Sequence, residues 1–158
     1  MDPLGDVDFY IEEAKKVGMN ITHVFDTHVH ADHFSVAREL AEATNAKLIM
    51  YKDTPAQYHF TKVDDGDKII LGNVEIQVMF TPGHTPEHIC LLVTDHARGP
   101  EPWFLITGHT LMAGDVGRTE LASQAEDGAR ALYDSLFNKL LKLPDYIEIL
   151  PGAYAGSP

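Results

Sequence analysis

Apolar positions recur at helical spacing near the start of the chain: Val7, Tyr10, Ile11, Ala14 and Val17, with Gly18 as the residue past the helix end. Residues 21–25 then read as a short apolar strand ending at Asp26. Residues 34–43 read as a second helix and Lys47 to Tyr51 as a second strand. This β-α-β order predicts parallel pairing through a right-handed crossover. The middle of the chain changes character. Residues 68–71, 74–80 and 89–94 alternate or run apolar like strands, and Gly72-Asn73 between the first two predicts a tight hairpin turn. Residues 95–102, with Gly99-Pro100, predict a surface loop before a further strand at 103–107. Ser123-x-x-Glu126 has the form of a capping box. It opens a long helix with Ala129, Leu132, Tyr133, Leu136, Phe137, Leu140 and Leu141 on its apolar face. Pro144 stops that helix, and residues 146–150 form a last strand. The pattern is α/β, with helices flanking sheets and neither repeat nor low-complexity stretch.

Composition narrows the function classes. The chain has 158 residues, 44% of them hydrophobic, which suits one globular domain spanning 1–158. Twelve Lys and Arg stand against 24 Asp and Glu, a formal charge of −12. A surface that acidic repels phosphate backbones and anionic membranes, so neither nucleic acid nor a membrane is expected as a partner. No apolar run approaches the roughly 20 residues of a spanning helix, and no signal peptide is expected ahead of the fold. The single cysteine, Cys90, lies in the apolar run Ile89-Cys90-Leu91-Leu92. It reads as core rather than nucleophile and suits a reducing, cytoplasmic setting. Met50, Met79 and Met112 also read as core.

The nine histidines are unevenly placed. His28, His30 and His33 follow the first strand in Thr27-His28-Val29-His30-Ala31-Asp32-His33. His84 follows the strand ending at Phe80, in Thr81-Pro82-Gly83-His84-Thr85-Pro86. His109 follows the strand ending near Thr107. Ligands bind at the carboxyl ends of strands in α/β sheets, so these loops can converge. Neutral imidazole is the commonest protein ligand of zinc and iron, and a three-His set leaves positions open for substrate. Pro82 and Gly83 make a sharp turn that aims His84. Solitary histidines are usually structural, and His23, His59 and His96 take that reading, as does His88 at a strand start.

These motifs resemble the metallo-β-lactamase fold superfamily, an αββα sandwich. Gly114-Asp115-Val116-Gly117-Arg118-Thr119, Leu143-Pro144-Asp145-Tyr146 and Pro151-Gly152-x-x-Ala155-Gly156-Ser157-Pro158 narrow the resemblance to persulfide dioxygenases, including those fused to rhodanese domains. Glyoxalase II is the sister group. The resemblance implies one non-haem Fe(II) held by two His and one Asp, with glutathione persulfide and O2 converted to sulfite. By motif the two histidines are His28 and His84, and the Asp position is His109. The two-metal glyoxalase pattern implies His28, His30 and His84 on one ion and Asp32 and His33 on the other. A carboxylate at position 109 would bridge the ions, and a late histidine would stand where this chain has Ala153. Asp32 is also the candidate catalytic residue.

Two ligand positions therefore depart from the family pattern, His109 and Ala153, and Tyr154 replaces a glycine. His109 can still coordinate as a neutral imidazole, whereas losing the bridge and the late histidine together weighs against a two-metal hydrolase. The resemblance also implies strands ahead of Asp2-Pro3 and chain beyond Pro158, so a shortened domain lacking its first strands is expected, with an open sheet edge and self-association into a homo-oligomer. Three functions stay open: a persulfide dioxygenase-like iron protein, a glyoxalase II-like zinc thioester hydrolase, and an inactive, self-associating variant of the fold. A nuclease is disfavoured by the charge.

Overall fold

The computed structural model describes residues 1–121 and 124–154. Helix α1 spans Val7–Lys16, followed by β1 His23–Phe25, α2 Ala37–Thr44, β2 Lys47–Tyr51 and β3 Thr61–Val63. Then come β4 Lys68–Leu71, β5 Val74–Phe80, β6 Ile89–Asp95, β7 Phe104–Gly108, and the short β8 Leu111–Met112 and β9 Asp115–Val116. Helix α3, Ala125–Asp134, and β10, Glu148–Pro151, complete the order.

Two sheets carry the fold. One is the parallel trio β1-β2-β3, with Val24 beside Leu48 and Ile49 beside Thr61. The other runs β10-β7-β6-β5-β4, antiparallel except where β10 lies parallel to β7. The predicted β-α-β unit is therefore present. The Gly72-Asn73 turn is as predicted too: Leu71 pairs with Val74, and Gly72 takes φ 62°, which a side chain would resist.

Three apolar layers alternate with these sheets. Phe25, Ile49, Tyr51 and Val63 of the small sheet meet Ile76, Val78, Ile89, Leu91 and Val93 of the large one. On the outer face of the small sheet, Val24, Leu48 and Met50 pack on Ala37, Leu40 and Ala41 of α2, with Val7, Tyr10 and Ile11 of α1 at the margin. On the outer face of the large sheet, Cys90, Leu92 and Leu105 pack on Leu136, Leu140 and Leu143. Burying each such aliphatic side chain contributes about 1.5–3 kcal/mol. The order helix, sheet, sheet, helix is the expected αββα sandwich.

Several boundaries differ from the sequence expectation. The second helix begins at Ala37, because Ser35 Oγ donates to both Asp26 carboxylate oxygens at 2.9 and 3.0 Å and accepts from the Ala37 N–H. Ser35 also bridges to Leu4, and Phe34 beside it is 95% exposed. The pattern missed β3, β8 and β9, which have only three, two and two residues. Val17 is 67% exposed, since it caps α1 beyond the packed face. The long last helix is not continuous. After Asp134 the chain takes a five-residue π-helical turn, Ser135–Lys139, and then a 3-10 turn, Leu140–Lys142. Leu136 and Leu140 pack on the sheet and Leu132 is buried against the loop at Gly83, while Tyr133, Phe137 and Leu141 stay exposed. The capping box rests on Ser123, which lies outside the described residues.

The π turn coincides with two long-range bonds. Ser135 Oγ donates to the Pro82 carbonyl at 2.7 Å, and Lys139 Nζ donates to the Phe80 carbonyl at 2.7 Å. Both bonds tie the helix to the loop that carries His84. Such widened turns commonly mark functional regions.

Candidate metal centre

Three strand ends deliver the predicted histidines to one place. The loop after β1 is pinned from two sides. Asp2 accepts from the Thr27 N–H at 2.7 Å and the Thr27 hydroxyl at 3.0 Å, and buried Glu87 accepts from the Val29 N–H at 2.8 Å. His30 Nε2 lies 3.1 Å from Asp2 Oδ1, so its Nδ1 turns inward. His84 Nδ1 lies 3.0 Å from the Arg118 carbonyl, which can only accept. His84 therefore carries its proton on Nδ1 and leaves Nε2 free for coordination. His109 Nδ1 approaches His28 Nε2 at 2.9 Å.

The geometry divides the predicted residues into two adjoining groups. His28, His84 and His109, all buried, present donor atoms within 4.8 Å of one another. His30, Asp32 and His33 do the same. The groups touch, with His109 Nε2 3.7 Å from Asp32 Oδ2 and the His28 and His30 rings 4.2 Å apart. Asp2, Asp26 and His30 form a third such group, but Thr27, Ser35 and His30 already occupy these carboxylates. His23, His59 and His96 lie outside these groups, half-buried or exposed.

The donor set fits a metal ion. His30 Nδ1 and His33 Nε2 are buried with no hydrogen-bond partner, an unfavourable state for imidazole nitrogens unless a cation takes their lone pairs. Burial, and next the neighbouring imidazoles, lower the pKa of His28 and His109, while burial leads the lowering at His84. These rings are therefore neutral, the form that coordinates. His30 is the exception. Burial opposes its charge, but the Asp2 hydrogen bond and charge prevail and raise its pKa, so an ion on His30 Nδ1 must displace a proton held more firmly than on the other rings. Asp26 is pushed up to about 6 by burial and by the Asp2 charge.

These shifts set the acid response of the metal-free protein. A histidine whose folded pKa lies below its unfolded 6.5 gives stability that is full above that value and fades as pH falls toward the folded pKa. His28, His84, His88 and His109 all act in this sense, and His88 extends the window down to about 3. Asp26 acts oppositely between 3.8 and about 6, against these four histidines and His23, which is lowered as well. Urea unfolding of metal-free protein should show stability decreasing steadily below pH 6.5. A flat profile there would mean the imidazoles are solvated.

Some contributors carried no clear sequence signal. Asp2 braces the loop from 25 residues away, and nothing in Asp2-Pro3 announces it. Glu87 and His88 directly follow Thr81-Pro82-Gly83-His84-Thr85-Pro86, the motif noted for His84, which stops short of both. Met112, read as core, is only half-buried and lines a cavity of about 180 Å³ with Asp32, His84, His109, Arg118 and Ala153. Gly117 is pressed into that wall, where a Cβ would lie 2.4 Å from the His109 carbonyl oxygen. Cys90 is fully buried, and burial pushes its thiol up to about 12, in keeping with a core role.

Comparison with known proteins agrees with the architecture. The hydroxyacylglutathione hydrolase of Maricaulis maris is 32% identical over 146 residues, covering 91% of this chain and 52% of its own length. The mitochondrial persulfide dioxygenase ETHE1 of Bos taurus is 28% identical over 141 residues, covering 87% of this chain and 51% of its own. This chain thus spans about half the length of these curated relatives. The crystal structure of ETHE1 from Myxococcus xanthus superimposes with a TM-score of 0.85 at 35% identity, over 98% of this chain and 64% of that one. The family model of the metallo-beta-lactamase superfamily matches residues 1–152, and with the sandwich and the converging strand-end histidines it shows that the chain belongs to that superfamily.

Proposed function

We propose that the protein holds one metal ion through His28, His84 and His109, and acts on a small thiol-derived substrate such as glutathione persulfide in the manner of a persulfide dioxygenase. The observation that carries this reading is the buried, neutral trio of imidazoles, two of which, His84 and His109, open onto the cavity beside Asp32 and Arg118. When bound there, Fe(II) supplies redox chemistry with O2 that no side chain can provide. The chain's own residues supply the rest. Arg118 and Met112 line the cavity and orient an anionic, sulfur-bearing substrate. Asp32, whose carboxyl pKa is lowered against burial by a main-chain hydrogen bond and the neighbouring imidazoles, presents a carboxylate 3.7 Å from His109 Nε2 that can accept a proton at the cavity wall. The stoichiometry takes up O2 and water and yields sulfite and the free thiol, with the sulfane sulfur oxidised and O2 reduced.

A zinc-dependent thioester hydrolase is the second reading. It is favoured by the His30, Asp32 and His33 group, whose unpartnered nitrogens offer a second cation position, and by the hydroxyacylglutathione hydrolase relatives. An inactive fold variant is the third. Elemental analysis of protein purified without added metal, with assays on the same sample, separates them. Iron together with O2 uptake on glutathione persulfide is the expected result. Zinc with cleavage of a glutathione thioester moves the assignment to the hydrolase, and absence of metal moves it to the inactive variant.

The same reading includes self-association and a cytoplasmic setting. The first is supported by the edge strand β10, whose residues are all exposed, including Ile149 and Leu150. The second is supported by the lone reduced cysteine. Light scattering on that sample should give a mass above the 17.5 kDa of one chain. Among the described residues no helix is long and apolar enough to cross a membrane.

A further inference from the structure

His88 contacts no substrate cavity, yet it touches the site from below. It is wholly buried, and its ring stacks on His28 with centroids 4.7 Å apart and planes 26° apart. Its Nε2 accepts the main-chain N–H of His109 at 3.1 Å. A main-chain N–H can only donate, so Nε2 carries no proton. The proton of the neutral ring therefore sits on Nδ1, where the hydroxyls of Thr110 at 3.0 Å and Thr81 at 3.1 Å accept it. One tautomer is thereby fixed from both ends. The turn above is moulded to the ring. Gly108 has φ 50°, and a Cβ there would stand 2.6 Å from His88 Nε2. A single imidazole thus sets the backbone at one candidate metal ligand and the ring plane of another.

We infer that His88 is a positioning residue, which fixes His109 through its main-chain N–H and His28 through ring stacking, and so sets the geometry of the metal trio. This rests on the metal reading proposed above. Leucine keeps the bulk of the ring but accepts no hydrogen bond, whereas glutamine can return an oxygen close to the Nε2 position. Titration with Co(II) against a competing chelator, followed by the visible d–d absorption, reads affinity and ligand geometry without any assay of activity. His88→Leu should weaken Co(II) binding by about tenfold or more and change the d–d band, the scale on which outer partners of metal ligands act. His88→Gln should stay within a few-fold of the parent and keep its spectrum.

Parent-like binding and spectrum in a folded His88→Leu protein overturn the inference. So does an equal loss in both variants, which would indicate mere core packing. A second measurement stands apart from metal binding and from the folding of the variants. In the metal-free parent, ¹⁵N imidazole spectra should show His88 protonated on Nδ1, with the His109 amide strongly protected from exchange. The opposite tautomer, or a freely exchanging amide, overturns the inference. If the parent takes up no Co(II), the metal reading falls, and the tautomer and amide data alone decide the role of His88.

Discussion

His109→Asp should raise affinity for Fe(II) or Zn(II) by about 10- to 100-fold, at least the range through which outer-shell partners act. In the parent, His109 is a buried neutral ring whose Nδ1 is engaged with His28 Nε2 at 2.9 Å. That contact uses two donor atoms that an ion would otherwise take, and it must break for both to coordinate. A carboxylate at the same place cannot donate to His28, and it brings a full negative charge to a group of neutral ligands. The substitution carries an opposite penalty without metal, because a buried, unpaired carboxylate costs several kcal/mol. Metal-free His109→Asp should therefore melt below the parent, and metal should lift its Tm by more than it lifts the parent's. Calorimetry with and without metal, beside elemental analysis, checks both signs. Unchanged metal content and an unchanged shift would place position 109 outside the site.

The second large effect lies in the loop behind His84. Gly83→Ala should destabilise the protein by about 3–6 kcal/mol, the sum of a strained backbone and an overpacked contact. Gly83 has φ 143°, and a Cβ there would lie 2.5 Å from the Cα, Cβ and N of Leu132. Those are largely main-chain atoms of α3, which cannot yield as a flexible side chain does. Ser135 and Lys139 hold the same loop by the carbonyls of Pro82 and Phe80, so the helix cannot withdraw without losing both bonds. Urea unfolding measures the loss directly. A cost below about 1 kcal/mol, ordinary for a surface change, would show that loop and helix separate easily.

How much of this was legible beforehand depends on range. The β-α-β unit and the Gly72-Asn73 hairpin were readable because their causes are local: an apolar period and a turn residue at positive φ. The strand-end placement of His28, His84 and His109 was readable for the same reason, since each follows directly on an apolar run. Strand β3 was not, because three residues of mixed polarity carry no period. The π turn after Asp134 was not, because the bonds it coincides with reach the distant Pro82 and Phe80 carbonyls, 53 and 59 residues back. The helical face was read too wide: Leu132, Leu136 and Leu140 are inside, while Tyr133, Phe137 and Leu141, one position on, are not. From sequence, His88 reads as a structural histidine at a strand start. It is structural, but the structure it supports is the candidate site, and only the 21-residue span from its ring to the His109 N–H reveals that.

The parallel pairing of β10 with β7 bears on the order in which the protein is completed. Every candidate donor, from His28 to His109, is synthesised before β10, which spans Glu148–Pro151. Just beyond that strand, the Gly152 N–H bonds to the Gly108 carbonyl at 2.9 Å, in the turn that carries His109. Chains emerge from the ribosome amino end first and fold as they lengthen. A nascent chain that has not yet exposed Gly152 therefore has all its imidazoles but lacks the last backbone anchor of that turn. The site is chemically complete some forty residues before it is mechanically complete, as the separation of His109 from Gly152 requires.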